Sequence, residues 1–442
     1  MKGHIQYISS FLPKDLISDL LITEEDIRDV NEDTNETMIN LRRCISEETK
    51  NSKFFEFFNN QSNSTNSTST LSSLNDADFT RTSRKSSTFQ QRKAPFIFEH
   101  EVEYNNLTLK QFLQIPKNQL NLAAIINNCA GSHFLQKMIK TVTPSDINLM
   151  FSLLGQNMKC VMCDSYGNYF IQKIIAKCSK AQRLILLTMI EKDFYEIAND
   201  ISGTHCLQCL VDIMNSKEEE EIIKNVIQND LLDLAISQNS THIIQKMIVK
   251  QKLSFRQYIV KFCISNFVEL SINLNGSAII KKLIEELSSI QLMQMILSII
   301  ETNNVKLIEN QFGNFVIQKA IDIFGYKNCE KVIVSILNNA VYFSLQKYSS
   351  NVIDKIAICL YQNNKLCFEQ LISVLILNRN NLNILSQNKF GMYVLGNLVK
   401  LLSAEEKKNL SHILINQNCA LYYYSSLNNS KRKLSKFLCL LE

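Results

Sequence analysis

The stretches Gly131-Ser-His-Phe-Leu-Gln-Lys137, Gly167-Asn-Tyr-Phe-Ile-Gln-Lys173 and Gly203-Thr-His-Cys-Leu-Gln-Cys209 repeat one phrase, a small residue followed by a polar residue, a ring, two apolar residues and glutamine. Five looser copies follow. Counted from the residue after the glycine or its substitute, the copies begin at Ser132, Asn168, Thr204, Thr241, Ser277, Asn314, Ser350 and Met392, with intervals of 36, 36, 37, 36, 37, 36 and 42 residues. A unit of that size cannot bury its own apolar face, so a near-constant period marks units stacked into a one-dimensional array.

Working outward from the phrase, each period from Phe96 onward holds two helix-length apolar stretches with short polar breaks. In the second period LMFSLLGQNMKCVMC, from Leu149, meets a break at Asp164-Ser-Tyr-Gly167, and NYFIQKIIAKC follows. This pattern predicts a helical hairpin per period, stacked in an armadillo-like solenoid. With only 4 Pro and 10 Gly in 442 residues, breakers are too sparse for an all-β chain of this size, and the fold class is all-α.

A helix turns about 100° per residue, which puts Ser132, His133 and Gln136 within one sector and Phe134, Leu135, Met138 and Ile139 on the opposite arc. The apolar arc is assigned to the core. Places one, two and five of the phrase are expected to face outward, free of packing duty. The first place holds Ser132, Asn168, Thr204, Thr241, Ser277, Asn314, Ser350 and Met392. The second holds His133, Tyr169, His205, His242, Ala278, Phe315, Asn351 and Tyr393, and the fifth holds Gln136, Gln172, Gln208, Gln245, Lys281, Gln318, Asp354 and Gly396. An ordinary solvated face carries Lys, Glu and Arg, so residue types restricted by place need another reason.

Recognition of bases supplies one. A ring at the second place offers a surface for stacking, and an amide at the fifth place joins donor and acceptor in one group able to meet a Watson–Crick edge. The residue at the first place completes the reading. Among catalytic signatures, GxSxG, Walker A, HExxH and the dinucleotide fingerprint are all missing from the sequence, and the recurring glycines stand at helix starts rather than in phosphate-binding loops. We expect no enzymatic activity, no cofactor and no metal.

Charge is nearly balanced, with 47 basic and 42 acidic residues; residues 1–95 carry 12 and 14 of them, leaving an excess of +7 on the remainder, which permits a nucleic-acid partner. No apolar run approaches membrane length, and the first twenty residues lack a basic segment followed by an apolar core, so we expect a cytoplasmic chain with no membrane partner. The two CxxC pairs, Cys160/Cys163 and Cys206/Cys209, have a spacing that can serve zinc. Because Cys206 fills the slot of Phe134, Phe170, Ile243 and Val316, we read it as a core thiol instead.

Residues 1–95 differ in kind. Between Asn59 and Ser73 the chain is almost purely small and polar, and it is expected to be disordered because it buries too little apolar surface to offset chain entropy. FLPKDLISDLLITEEDI, from Phe11, and FFEFF, from Phe54, are candidate docking segments within that tail.

The phrases GSHFLQK, GNYFIQK and GNFVIQK, together with SSNVIDK and the longer last interval, resemble the Pumilio homology domain of the PUF family over residues 96–442. The resemblance implies a right-handed α-α superhelix of eight three-helix repeats with capping half-repeats, here NNLTLKQFLQIPKNQL and LSHILINQNCALYYY. It further implies a monomer that binds single-stranded RNA along the concave face, antiparallel and one base per repeat. The expected target is a UGUA-like element in messenger RNA 3′ untranslated regions. The expected outcome is post-transcriptional control, translational repression through deadenylase or repressor complex proteins included.

By the same resemblance Asn168 with Gln172 and Asn314 with Gln318 match the uracil pair, stacked by Tyr169 and Phe315; Ser132 with Gln136 matches the adenine pair, and Thr204 with Gln208 is close to it. Ser350 with Asp354 is similar to the guanine pair, with Asn351 beside it. Thr241 with Gln245 departs from the expected pair, Lys281 beside Ala278 offers a donor only and is assigned to a phosphate contact, and Tyr393 stacks with no polar reader at Gly396. The implied element is N-G-U-N-A/N-A-U-A. The alternatives are a PUF-like nucleolar protein binding pre-ribosomal RNA with little sequence choice, and a peptide-binding armadillo scaffold, whose Trp ladder this Trp-free chain lacks.

Overall fold

The computed structural model describes residues 109–115, 121–249 and 254–417, which all fall in one compact unit. The expectations for the tail, residues 1–95, and for the segments flanking the array beyond these limits lie outside the described residues. Among the described residues every regular element is helical.

Each complete period folds as three helices rather than the two that hydropathy suggests. In the second period they are Pro144–Leu154, Met158–Met162 and Gly167–Ile175. The first apolar stretch is continuous in sequence but splits at Gly155, whose φ of 46° lies in the left-handed region where a side chain is strained. Later periods make the same split after Ile190, Ile227 and Thr302. Such short middle helices are marginal alone and are held by packing, with Met158, Val161 and Met162 buried.

The long first helices start on side-chain caps. Thr143 with Asp146, Ser179 with Gln182 and Ser216 with Glu219 each form a reciprocal capping box. These starts also tie one period to the next: Gln182 Nε2 donates to Pro144 O at 2.7 Å and Asn148 Oδ1 at 2.9 Å. Between the next two periods Arg183 and Glu219, 6% and 0% exposed, form a buried two-pronged pair, Nε to Oε1 at 2.5 Å and Nη2 to Oε2 at 3.2 Å. Burial would raise the Glu219 carboxyl, but hydrogen bonds from Arg183, Asn215 and Ser216 outweigh it and hold the group below the ordinary range.

The phrase lies on the third helix of its period throughout: Cys129–Met138, Gly167–Ile175, Gly203–Ile213, Thr241–Val249, Leu274–Glu286, Gly313–Leu337, Ser349–Asn363 and Lys389–Leu401. Consecutive phrase helices pack side by side. The Gly313–Leu337 helix kinks at Gly325, where φ is 76°. The long last interval is taken up by a π-helical turn, Ser373–Leu377, and by a nine-residue middle helix, Arg379–Gln387.

The phrase glycine is required by close approach. A Cβ at Gly131 would stand 2.3 Å from Ile125 O, and one at Gly276 2.6 Å from Leu270 O. The third helix therefore starts in contact with the backbone of the middle helix six residues earlier. In copies four and seven serine replaces glycine, and its hydroxyl donates to that same carbonyl: Ser240 Oγ to Leu234 O at 2.7 Å, Ser349 Oγ to Phe343 O at 2.6 Å. Three residues before most of the glycines an Asp or Asn accepts from the first free N–H groups, as when Asp164 Oδ1 takes Tyr166 N at 2.8 Å and Gly167 N at 2.9 Å.

Candidate nucleic-acid interface

Because the third helices pack side by side, the phrase triplets form a continuous line. Phe134, Leu135, Phe170, Ile171, Cys206 and Leu207 are buried beneath it, which fixes the rotation of each helix and turns the second place outward. Tyr169, Phe315 and Tyr393 are 58%, 51% and 48% exposed, and His133, His205 and His242 are exposed as well. Rings exposed to this extent present surface to solvent that is available to a flat ligand. His133 Nδ1 donates to Cys129 O at 2.9 Å, which fixes the ring and leaves Nε2 free of that bond.

The first place departs from the sequence-based expectation. Its residues are not free of packing duty: Ser132, Asn168, Thr204, Thr241, Ser277, Asn314 and Ser350 are all buried. Their polar atoms are hydrogen-bonded inside the protein, as burial demands. Asn168 Nδ2 donates to Asp164 O and Ser165 O at 2.8 and 3.1 Å, and Asn314 Nδ2 to Asn310 O at 2.8 Å. The hydroxyls of Ser132, Thr204 and Thr241 instead cross to the next copy, donating to Tyr166 O, Asn239 O and Asn275 O at 3.0, 3.1 and 3.3 Å. Helical projection missed this because the neighbouring copy's helix start closes over that sector. The restriction to Ser, Thr and Asn was the available signal, since small hydrogen-bonding residues suit a tight, buried polar contact.

The remaining acceptor of the first place holds the fifth. Gln172 Nε2 donates to Asn168 Oδ1 at 2.9 Å, Gln318 to Asn314 Oδ1 at 3.0 Å, Gln136 to Ser132 Oγ at 3.0 Å and Gln208 to Thr204 Oγ1 at 3.3 Å. One N–H and Oε1 of each amide remain beyond that bond, a donor and an acceptor side by side next to an exposed ring. The first place thus acts as a positioning residue for the glutamine, and Asn and Ser hold it at different depths because Asn Oδ1 is one bond further from the backbone.

The other copies carry the expected residues in altered settings. Gln245 is half-buried in copy four beside exposed His242. In copy five Ser277 Oγ turns to Leu274 O at 2.9 Å, and Lys281 is half-buried, with burial first and Lys319 second holding its ammonium below the ordinary range. In copy seven Ser350 Oγ donates to Lys347 O at 3.3 Å and Asn351 is half-buried. Burial lifts the Asp354 carboxyl above its ordinary value, and Tyr393 of copy eight donates to it at 3.5 Å. Gly396 is buried and adds no reader. Of the CxxC residues, Cys206 occupies the core slot assigned to it, its thiol donating to Asn168 O at 3.5 Å, while burial pushes Cys163 up to about 12.

A further line of charges runs beside the rings. The sixth place of the phrase is lysine in six copies, and three of these reach an acid at the ninth place of the preceding copy: Lys246 with Asp212, Lys319 with Glu285 at 2.6 Å, and Lys355 with Asp322.

Stacked three-helix units bearing one line of rings and held amides define an α-helical repeat protein with a single recurring interface. Five segments of the chain, residues 124–154, 159–191, 193–227, 266–300 and 305–337, match the family described as the Pumilio-family RNA binding repeat. These segments contain copies one, two, three, five and six. Two of the three unmatched copies are those in which serine replaces the glycine, and the structure gives them the same helix start.

Among curated relatives, Pumilio homolog 12 of Arabidopsis thaliana is 27% identical over 122 residues, 26% of this chain and 20% of that protein. Suppressor protein MPT5 of Saccharomyces cerevisiae is 26% identical over 107 residues, 23% of this chain and 12% of its own length. The matched stretch therefore spans a fifth or less of these relatives. Among solved structures, the Puf4 RNA binding domain bound to an HO endonuclease RNA 3′ UTR recognition sequence has a TM-score of 0.60 at 22% identity, covering 71% of this chain and 97% of that one. The RNA-binding domain of yeast Puf5p bound to AAT2 RNA has a TM-score of 0.59 at 22% identity, covering 74% and 98%. At that identity the likeness establishes the superhelical repeat fold.

Proposed function

We propose that this chain binds single-stranded RNA sequence-specifically, with eight repeats along residues 96–442 each taking one base, and that its element is N-G-U-N-A/N-A-U-A. The observation that carries this reading is the held glutamine beside an exposed ring in copies one, two, three and six. An amide fixed at one end and free at the other is preorganised for a base edge, and the ring supplies stacking of about 1–3 kcal/mol per base. RNA-bound structures among the neighbours support the same class of ligand. In this reading the protein is a cytoplasmic regulator acting on messenger RNA 3′ untranslated regions, and residues 1–95 recruit deadenylase or repressor complex proteins.

Lys281 and Gly396 favour a second reading, a PUF-like protein that binds pre-ribosomal RNA with little sequence choice. Selection from a random RNA pool separates the two. We expect enrichment of a UGUA-like core, with uracil at the seventh base, and a shift there toward adenine for Asn168→Ser. An unenriched pool that still binds would favour the second reading, and a pool that does not bind would overturn both.

A further inference from the structure

The ladder of lysines and acids beside the rings is broken in one informative way. At the junctions of copies three with four, five with six and six with seven, the ninth place of one copy and the sixth of the next hold an acid and a lysine in contact. At the junction of copies one and two those same places hold Lys140 and Lys173. Neither forms an ion pair among the described residues, and both are exposed, whereas the lysines paired across junctions are tucked down to 35%, 29% and 27% exposure. Lys137, one turn before Lys140, adds a third cation on the same edge.

Three junctions neutralise this slot from within the protein, and the first leaves it doubly positive. On an α-helix the sixth and ninth places lie about 40° and 20° to either side of the second; in copy one the α-helix ends at Met138, and the tighter 3-10 turn Ile139–Thr141 that carries Lys140 keeps it within about 40° of that place, so the slot shares the sector of the stacking rings. A strand whose bases lie on those rings carries its backbone past the slot, where ammonium groups serve as point-charge contacts to phosphate.

We infer that Lys140 and Lys173 form a phosphate clamp for the bound strand, gripping the linkage between the seventh and eighth nucleotides. The inference rests on the RNA reading above, in which copies two and one take those bases. It makes the junction of copies one and two an anchor, while the copies beyond it choose bases with little backbone attraction at the paired junctions.

The test replaces one phosphate at a time in the octamer by a neutral methylphosphonate and measures affinity of the full chain. Neutralising the seventh linkage should weaken binding about three- to tenfold, as expected for two exposed charge contacts, and neutralising the fifth, opposite the Asp212–Lys246 pair, should change little. Lys140→Asp, which copies that pair and so suits the fold, should remove the sensitivity at the seventh linkage and lower the salt slope by about 0.7. Equal sensitivity at both linkages, or a Lys140→Asp variant with an unchanged linkage profile, would overturn the clamp.

Lysine acetylation footprinting with inorganic tripolyphosphate and no RNA tests the clamp independently. Protection of Lys140 and Lys173 above other exposed lysines is expected, and uniform protection counts against it. A chain that prefers no octamer over its scramble but shows this protection would fail the base reading while keeping the anion site.

Discussion

The second copy sets Tyr169 over a glutamine held by Asn168, while the fifth sets Ala278 over Lys281 with Ser277 turned back to its own backbone. Beneath these faces the two copies are built alike. Both start on a capped glycine pressed against the middle helix, and both bury the apolar residues of the phrase, Phe170 and Ile171 in one, Ile279 and Ile280 in the other. The scaffold is therefore indifferent to the reading face. Changes beneath that face should alter stability without altering base choice, and changes on it should do the reverse.

The largest effect is expected on the first helix of the third period, which follows the second copy directly. Arg183→Met leaves Glu219 buried without its partner and should cost about 3–5 kcal/mol, whereas Arg256→Met, on the first helix of the fifth period, loses the bonds made among the described residues to the carbonyls of Ile248 and Glu286 and should cost about 1.5–3 kcal/mol. Urea denaturation of both variants checks the difference, and equal losses would remove the distinction between the two junctions. Because the Glu219 carboxyl is held low when folded, its stabilisation is complete above its unfolded value and lost as pH falls through the folded one. Arg183→Met should flatten that acid limb.

Next in size are the helix starts. Gly167→Ala and Gly276→Ala put a Cβ 2.4 Å from Val161 O and 2.6 Å from Leu270 O, and each should cost about 1–3 kcal/mol of overpacking. The similarity of the two losses is the point: hydrogen exchange that shows one copy loosened and the other untouched would break the claim of a shared scaffold.

The smallest effects on stability, and the most selective on binding, lie on the face. Tyr169→Ala should lose about 1–3 kcal/mol of RNA affinity at constant stability, while Ala278→Tyr should gain part of that by adding a ring where the fifth copy has none. Filter binding of the octamer measures both. A gain in copy five would identify the missing ring, rather than the place of the copy in the array, as what the proposed RNA contact lacks there.

Much of this was legible in the chain because the period is strict. The eight third helices, the core status of Cys206 and the outward turn of Tyr169, Phe315 and Tyr393 follow from spacing and from the alternation of apolar and polar residues around a helix. The three-helix period was not legible from hydropathy, since both halves of the first apolar stretch bury apolar residues and the turn that separates them, Gly155–Asn157, is only three residues long. Nor was the role of the first place. Ser132 and Asn168 project onto the polar sector of their own helices, and only the next copy's helix start, placed by packing, covers them.

The division has one physical cause. A sequence determines what is local: the turn of each helix, its caps and the composition of each face. For this protein that was enough to set the helical array and the line of rings and amides. Contacts 34 to 36 residues apart depend on how closely one unit settles on the next, so tertiary structure alone decided that the first place positions the glutamine. It also decided that the Asp212–Lys246 slot is neutralised, while its counterpart at Lys140 and Lys173 is not.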